Sequence, residues 1–523
     1  MPAARPTVGI ISAYMDTDRK GEPNRGFLQP QVGPLIASLL PPDTPIHIVF
    51  DTWRDPDWNR DYSLLFISAL HSDFDRARQI SHYWRRRGAK TVFGGVFAST
   101  FPKLCAPYFD AVVVGDAEGA VPEVYRDFCR GELQPLYIAG PYDSANLPVP
   151  RLDLAADQQG MPMSFEATRG CPFACDFCSL TAVGTRFHAR PPELVVRDLR
   201  EGRRMLAGRV AEYRLPGVLF VDNNIGGSPS YLAKLCDAIA PLGIRWAASI
   251  TFNCLLDDAI VKALARAGCR ALFTGLESFN PDAIANMRKH QNVIDEIQTA
   301  FDRCRRAGIL VMSGLMISPS ADDWSYVRTI PARLHESGLH VPTFICIECP
   351  IPGTPSFQRL AASSAPKFLP NALLRDFNGY TLVAKPERES VDGFVEMYRW
   401  VLGRTYTKWA RLRKLADDLP RLAASGVWES ALVDVVHQCL TGGETPRDGR
   451  TYAVPDIAPP EDTAVPFRPD DFESEEQRRA VMQPWRVTDE DGRVLGAWRD
   501  PVRVFDRTGR VTAQALELTA VRV

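Results

Sequence analysis

Eight residues narrow the possibilities for this chain more than any other stretch: Cys171-Pro172-Phe173-Ala174-Cys175-Asp176-Phe177-Cys178. Three cysteines stand in the spacing C-x3-C-x2-C, with an aromatic residue before the last. Three thiolates can hold three irons of a [4Fe–4S] cluster. The fourth iron then lacks a protein ligand from this run and can take a small molecule, as an open zinc position does. A structural zinc site wants a fourth Cys or His at local spacing, and His188 lies ten residues beyond Cys178. A disulfide framework belongs to small secreted domains. The N-terminal Met1-Pro2-Ala3-Ala4-Arg5-Pro6 has no apolar targeting core. Apart from this run and Cys346/Cys349, the twelve cysteines are scattered, which fits a reducing, cytoplasmic setting.

Ahead of the cysteines, short apolar runs alternate with helical stretches. Residues 7–12, 46–50, 63–68, 90–93 and 110–114 read as strands, and 31–40 and 73–87 as helices. Continuous apolar strands between helices predict a parallel sheet covered on both faces. Residues 1–140 are therefore expected to form a doubly wound α/β domain. Its ligand edge lies at the carboxyl ends of the strands, where Ser68, Gly94, Gly95 and Gly115 stand. Residues 131–160 are rich in Pro, Gly and Asp, and a linker is placed at 141–161.

After it, six strand runs follow at 162–168, 217–222, 245–250, 270–275, 309–315 and 343–348. Helices near 192–207, 228–241, 255–268, 293–307 and 323–338 separate them. Six βα units predict an open six-stranded barrel over 162–358, with the cysteine loop at the carboxyl-end rim after its first strand. Residues 359–523 read as a helical region, with helices near 388–417 and 428–440. From 443 the chain is polar and Pro-rich, with β-like stretches at 492–496 and 503–509. The sequence leaves two placements for this tail, over the substrate entrance or at the domain interface.

The cysteine motif and the βα pattern resemble the radical S-adenosylmethionine (SAM) superfamily. Gly275-Leu276-Glu277-Ser278 matches its G-x-E-S element, and Pro350-Ile351-Pro352-Gly353-Thr354-Pro355 resembles the P-x-P-G-T-P loop of its B12-binding class. Gly94-Gly95 after the fourth strand and Gly115-Asp116-Ala117-Glu118 after the fifth resemble the cobalamin-binding domain of that class. The resemblance implies Cys171, Cys175 and Cys178 as cluster ligands. It implies Phe177, Arg190, Asp222, Asn223, Glu277, Ser278, Ser313 and Gly314 around SAM, and Ser68, Gly94, Gly95 and Gly115 around cobalamin. The D-x-H-x-x-G loop that supplies a lower cobalt ligand is absent, so neither His71 nor His82 is expected to ligate cobalt. Cys346 and Cys349 alone cannot hold a second cluster and read as inert thiols.

What the resemblance implies chemically is SAM cleavage to a 5′-deoxyadenosyl radical, hydrogen abstraction from an unactivated carbon, and methyl transfer from cobalamin. Two alternatives stand beside it: radical ring formation or rearrangement without methyl transfer, and a non-catalytic Fe–S or SAM-binding regulator. The intact G-x-E-S and P-x-P-G-T-P elements argue against the regulator. A formal charge of −2 offers no field for nucleic acid, and no run of eighteen apolar residues predicts a membrane span. The expected partners are a small-molecule substrate and an electron donor such as flavodoxin or ferredoxin.

Overall fold

Apolar runs too short for helices become strands here, and the helices between them cover both faces. The computed structural model of the protein describes residues 6–15, 30–140, 143–158, 160–184, 186–363, 367–369, 372–424 and 465–485. The strands are β1 (Val8–Ser12), β2 (Ile46–Phe50), β3 (Leu64–Ser68), β4 (Lys90–Gly94), β5 (Ala111–Val114), β6 (Leu136–Ile138), β7 (Ser164–Phe165), β8 (Thr168–Arg169), β9 (His188–Ala189), β10 (Gly217–Phe220), β11 (Arg245–Ser249), β12 (Cys269–Glu277), β13 (Leu310–Ile317) and β14 (Phe344–Ile347). The helices named below are α1 (Val32–Ser38), α2 (Phe74–Arg85), α3 (Val96–Thr100), α4 (Val121–Arg130), α5 (Ser179–Val183), α6 (Pro192–Leu206), α7 (Pro281–Asn286), α8 (Pro355–Ala361), α9 (Val391–Thr405), α10 (Lys408–Ala424) and α11 (Glu475–Met482).

Two six-stranded sheets result, in the orders β2-β1-β3-β4-β5-β6 and β14-β13-β12-β11-β10-β7. Every neighbouring pair in both is parallel. In the first, the chain runs from β1 outward to β2 and then back past β1 to β3, so the switch point lies between β1 and β3. The second keeps strict sequence order, as successive βα units of an open barrel do. The sixth strand of the first sheet, β6, falls inside the Pro/Gly-rich stretch at 131–160. Three residues are too few for apolar alternation to stand out against that background.

The first sheet has two cores. Ile36 of α1 and Val121 and Val124 of α4 cover one face, with Ile10, Phe66 and Val113 beneath them. The other face packs Phe74, Ile80 and Trp84 of α2 together with residues from far downstream, Phe357, Phe368, Phe377 and Val465. Each fully buried Phe contributes about 1.5–3 kcal/mol, so this face depends on chain that follows the barrel. The described part of the tail, 465–485, lies on α2. Arg78 donates to the carbonyls of Ala480 (2.7 Å) and Gln483 (3.0 Å), and the Phe74 and Trp485 rings meet edge to face at 6.1 Å. The sequence placed one long helix at 388–417; two form, α9 and α10, because Tyr406 leaves the helical region (ψ 43°) and ends α9. The stretches at 428–440, 492–496 and 503–509 lie outside the described residues. No helix among the described residues is long and apolar enough to cross a membrane.

Candidate active site

The barrel's first strand is broken rather than continuous over 162–168. β7 pairs with β10, and β8 turns off to pair antiparallel with β9. That two-stranded clasp pins the base of the cysteine loop. Further contacts fix its course. The Asp176 N–H donates to the Met287 carbonyl (3.1 Å), just after α7, and the Ser356 N–H of α8 donates to the Asp176 carbonyl (3.2 Å). The buried Asp176 carboxylate pairs with Arg359 and with Arg288 (3.4 Å). Asn223 Oδ1 accepts from the Gly170 N–H at 3.2 Å.

Each thiol on the loop meets a donor. Asn224 Nδ2 lies 3.5 Å from Cys171 Sγ, and Gln291 Nε2 lies 3.5 Å from Cys175 Sγ. The backbone N–H groups of Leu180 and Thr181 favour the thiolate of Cys178. Burial pushes the Cys175 and Cys178 thiols up, and the neighbouring thiols add to the rise. The three sulfurs thus share one electrostatic neighbourhood. Among the described residues no three His, Cys, Asp or Glu side chains converge tightly enough for a single metal ion. A cluster does not require that, because each thiolate binds a different iron and the ligands stand farther apart. A donor set of three thiols with N–H partners fits a [4Fe–4S] cluster with one iron left for SAM.

The residues expected around SAM divide into two groups. Glu277 and Phe177 come together. Glu277 is buried, adopts φ 63° at a β-bulge in β12, and pairs with Lys289. Lys289 Nζ lies 5.8 Å from the centre of the Phe177 ring, within cation–π range. Gly275 has no side chain because the Glu277 carboxylate and Lys289 Nζ occupy that space.

The others make hydrogen bonds within the scaffold. Asp222 accepts from the Ala167 N–H (3.1 Å), the Thr168 N–H and the Thr168 hydroxyl (2.6 Å), holding the strand that enters the loop; burial pushes its carboxyl up to about 7. Arg190 donates to Asp198 (2.6 Å) and the Glu166 carbonyl (3.1 Å), tying β9 to α6. The Ser278 hydroxyl meets the Tyr326 hydroxyl at 2.9 Å. β13 runs on to Ile317, so Ser313 and Gly314 lie within the strand and not at its rim. There the Ser313 hydroxyl donates to the Thr274 carbonyl (2.7 Å) and accepts from the Leu276 N–H (3.2 Å), bracing the bulge that carries Glu277.

At the first sheet's carboxyl edge, Ser68 stands opposite Gly94 in register. Gly95 (φ 110°) and Gly115 (φ 93°) adopt conformations that side chains disfavour. The Ser99 hydroxyl bridges them, donating to the Gly95 carbonyl (2.9 Å) and accepting from the Gly115 N–H (3.0 Å). A Cβ on Gly94 would meet nothing closer than 3.8 Å, so there is free space directly over that residue. Both candidate histidines are engaged elsewhere: His71 donates to the Phe377 carbonyl (2.6 Å) and His82 to the Asp471 carbonyl (2.6 Å). Burial pushes the His71 imidazole down to about 4. Cys349 lies in the apolar core with its thiol pushed up to about 12 by burial, and Cys346 donates to the Leu315 carbonyl.

Arg169 joins this edge to the cysteine loop. Two residues before Cys171, its guanidinium pairs with Asp116 (3.0 Å) and Glu118 (2.9 Å) after β5, and with Glu166 (2.6 Å). Burial raises the Glu166 and Asp116 carboxyls while Arg169 pulls both down. α3, following Gly95, packs on α5, following Cys178. Sequence reasoning misses Arg169, Lys289 and Gln291; Arg169 adjoins the cysteine motif, and that adjacency is the one signal available for it. Asn224 stands in the polar run Asp222-Asn223-Asn224 that the sequence offers at the end of the second barrel strand.

The sequence profile described as "Radical SAM superfamily" matches residues 165–330. Bacteriochlorophyllide d C-8(2)-methyltransferase of Chlorobaculum tepidum is 24% identical over 407 residues, covering 74% of this chain and 89% of that one. Hopanoid C-2 methylase of Rhodopseudomonas palustris is 23% identical, covering 64% of each chain. The radical S-adenosylmethionine methyltransferase TsrM of Kitasatospora setae, solved with cobalamin and a [4Fe-4S] cluster bound, superposes with a TM-score of 0.57 at 15% identity, over 77% of this chain and 89% of that one. With the cysteine loop at the rim of the matched half-barrel, residues 165–330 are a radical SAM domain, and the protein is an enzyme that carries it.

Proposed function

We propose that this enzyme is a cobalamin-dependent C-methyltransferase acting on a small molecule. The observation that carries the reading is the Arg169 junction, which fastens the glycine-lined edge of the first sheet to the loop of Cys171, Cys175 and Cys178. Two cofactor sites fastened in this way can present one substrate carbon to both, and positioning of that kind is a large part of catalysis. When bound, the cluster and SAM supply a hydrogen-abstracting 5′-deoxyadenosyl radical, and cobalamin supplies a transferable methyl group.

The chain's own residues supply the rest. Cys171, Cys175 and Cys178 hold the cluster. Glu277, paired with Lys289, accepts from the amino or ribose hydroxyl groups of SAM, and Phe177 offers its ring to the adenine. Asp222, Arg190, Ser278 and Ser313 act from behind, holding the loop and the Glu277 bulge; Asn223 steadies Gly170. Ser68, Gly94, Gly95 and Gly115 would leave the bed for the corrin ring, and neither His71 nor His82 would ligate the cobalt. The matched relatives are methyltransferases by name, which supports the reaction type. The electron enters from a low-potential donor such as flavodoxin or ferredoxin, in a reducing cytoplasm.

The test is anaerobic reconstitution with iron, sulfide, SAM and hydroxocobalamin. The expected result is one cobalamin per chain after desalting and, with methyl-labelled SAM, label on the retained cobalamin by mass spectrometry. A full cluster with no cobalamin retained would overturn the methyltransferase reading in favour of methyl-free radical chemistry.

A further inference from the structure

We propose that Asn224 and Gln291 are positioning residues that set the reduction potential of the cluster through N–H···S hydrogen bonds to Cys171 and Cys175. The inference rests on those cysteines being cluster ligands. Their donors come from separate parts of the barrel, Asn224 after β10 and Gln291 after α7.

The orientation of Asn224 is fixed by its other end. Its Oδ1 accepts from the backbone N–H groups of Gly226 (3.1 Å) and Thr251 (3.1 Å). Those groups can only donate, so the carboxamide cannot be flipped, and Nδ2 faces Cys171. Asn224 is almost wholly buried, so nothing in solvent competes for it. For Gln291 the sulfur decides: a ligand thiolate only accepts, so the amide end turned to it is the NH2 group.

A hydrogen bond to a ligand sulfur drains negative charge from the cluster and stabilises the reduced form, which raises the potential. Cys178 receives its donors from backbone that no side-chain change removes. The tuning that sequence can alter therefore lies at two of the three sulfurs.

The experiment is an EPR-monitored redox titration of the full-length, reconstituted enzyme and two variants. Gln291→Leu removes a donor without adding charge. Asn224→Asp keeps the oxygen that holds Gly226 and Thr251 but turns an acceptor toward the sulfur. Each is expected to retain the wild-type iron content and to lower the midpoint, Gln291→Leu by about a tenfold change in the redox ratio, about 59 mV for one electron, and Asn224→Asp by more. Pulsed EPR in D2O should also show one exchangeable-proton coupling lost in Gln291→Leu, which a purely structural role would not move. If Asn224→Asp fails to assemble a cluster, Gln291→Leu decides alone. An unchanged midpoint and unchanged proton couplings in Gln291→Leu at full iron content would overturn the proposal. Iron missing from the wild type would instead sink the cluster assignment itself.

Discussion

Replacing Arg169 with Met should loosen the join between the two sheets, and more so at alkaline pH. The side chain of Arg169 is 14% exposed, and two of its partners, Glu118 at 9% and Glu166 at 16%, are nearly as enclosed. Asp116 is 40% exposed, so its share is discounted for solvent screening. Removing one partner of a buried ion pair strands the others and costs about 3–5 kcal/mol. Across a unit of this size that corresponds to a fall of roughly 6–20 °C in melting midpoint.

The pH dependence follows from the carboxyls. Glu166 and Asp116 already sit above their ordinary values because of burial, with Arg169 as the main opposing influence. Without it both rise further. An acid whose folded pKa is raised destabilises the fold only once it ionises, so the penalty is small in acid and grows as pH climbs through the raised values. Thermal melts of wild type and Arg169→Met at pH 5.5 and pH 8 measure this. A variant melting within about 2 °C of wild type at pH 8, or losing more at pH 5.5, would refute the reasoning.

Alanine at Cys171, Cys175 or Cys178 should abolish SAM cleavage and most bound iron, read by iron assay and 5′-deoxyadenosine release, since each thiolate holds its own iron; a variant that kept both would defeat the ligand assignment. Glu277→Ala should weaken SAM binding by about 1.5–3 kcal/mol, roughly 10- to 150-fold, with the cluster intact, and unchanged affinity in equilibrium dialysis would make Glu277 structural. His71→Ala should leave the EPR spectrum of bound Co(II) unaltered, because the D-x-H-x-x-G loop is absent and the His71 Nε2–H is held by the Phe377 carbonyl; nitrogen splitting that vanished in the variant would show the opposite. Gly95→Val should reduce cobalamin retention while iron content holds, since φ 110° strains a β-branched residue; retention equal to wild type would remove Gly95 from the corrin bed.

Cluster chemistry, the parallel α/β architecture and the order of the barrel strands were legible in the sequence because each is written locally. A thiolate triad is a spacing, and a buried parallel strand is a short apolar run. What sits against those elements is written nowhere along the chain. Asp116 and Glu118 meet Arg169 across 53 and 51 residues, and Gln291 reaches Cys175 across 116. The resemblance places Arg190, Asp222, Ser278 and Ser313 around SAM; what the sequence does not show is that Asp222, Ser278, Ser313 and the Arg190 Nη atoms also bond backbone and neighbouring side chains, while Arg190 Nε is buried with no protein partner, because those partners are brought in only by the fold. Likewise the second face of the first sheet is completed by Phe357 at the end of the barrel and by Phe377 and Val465 from beyond it. Apolar burial is non-directional and independent of sequence distance, so only the folded chain decides which residues close that face.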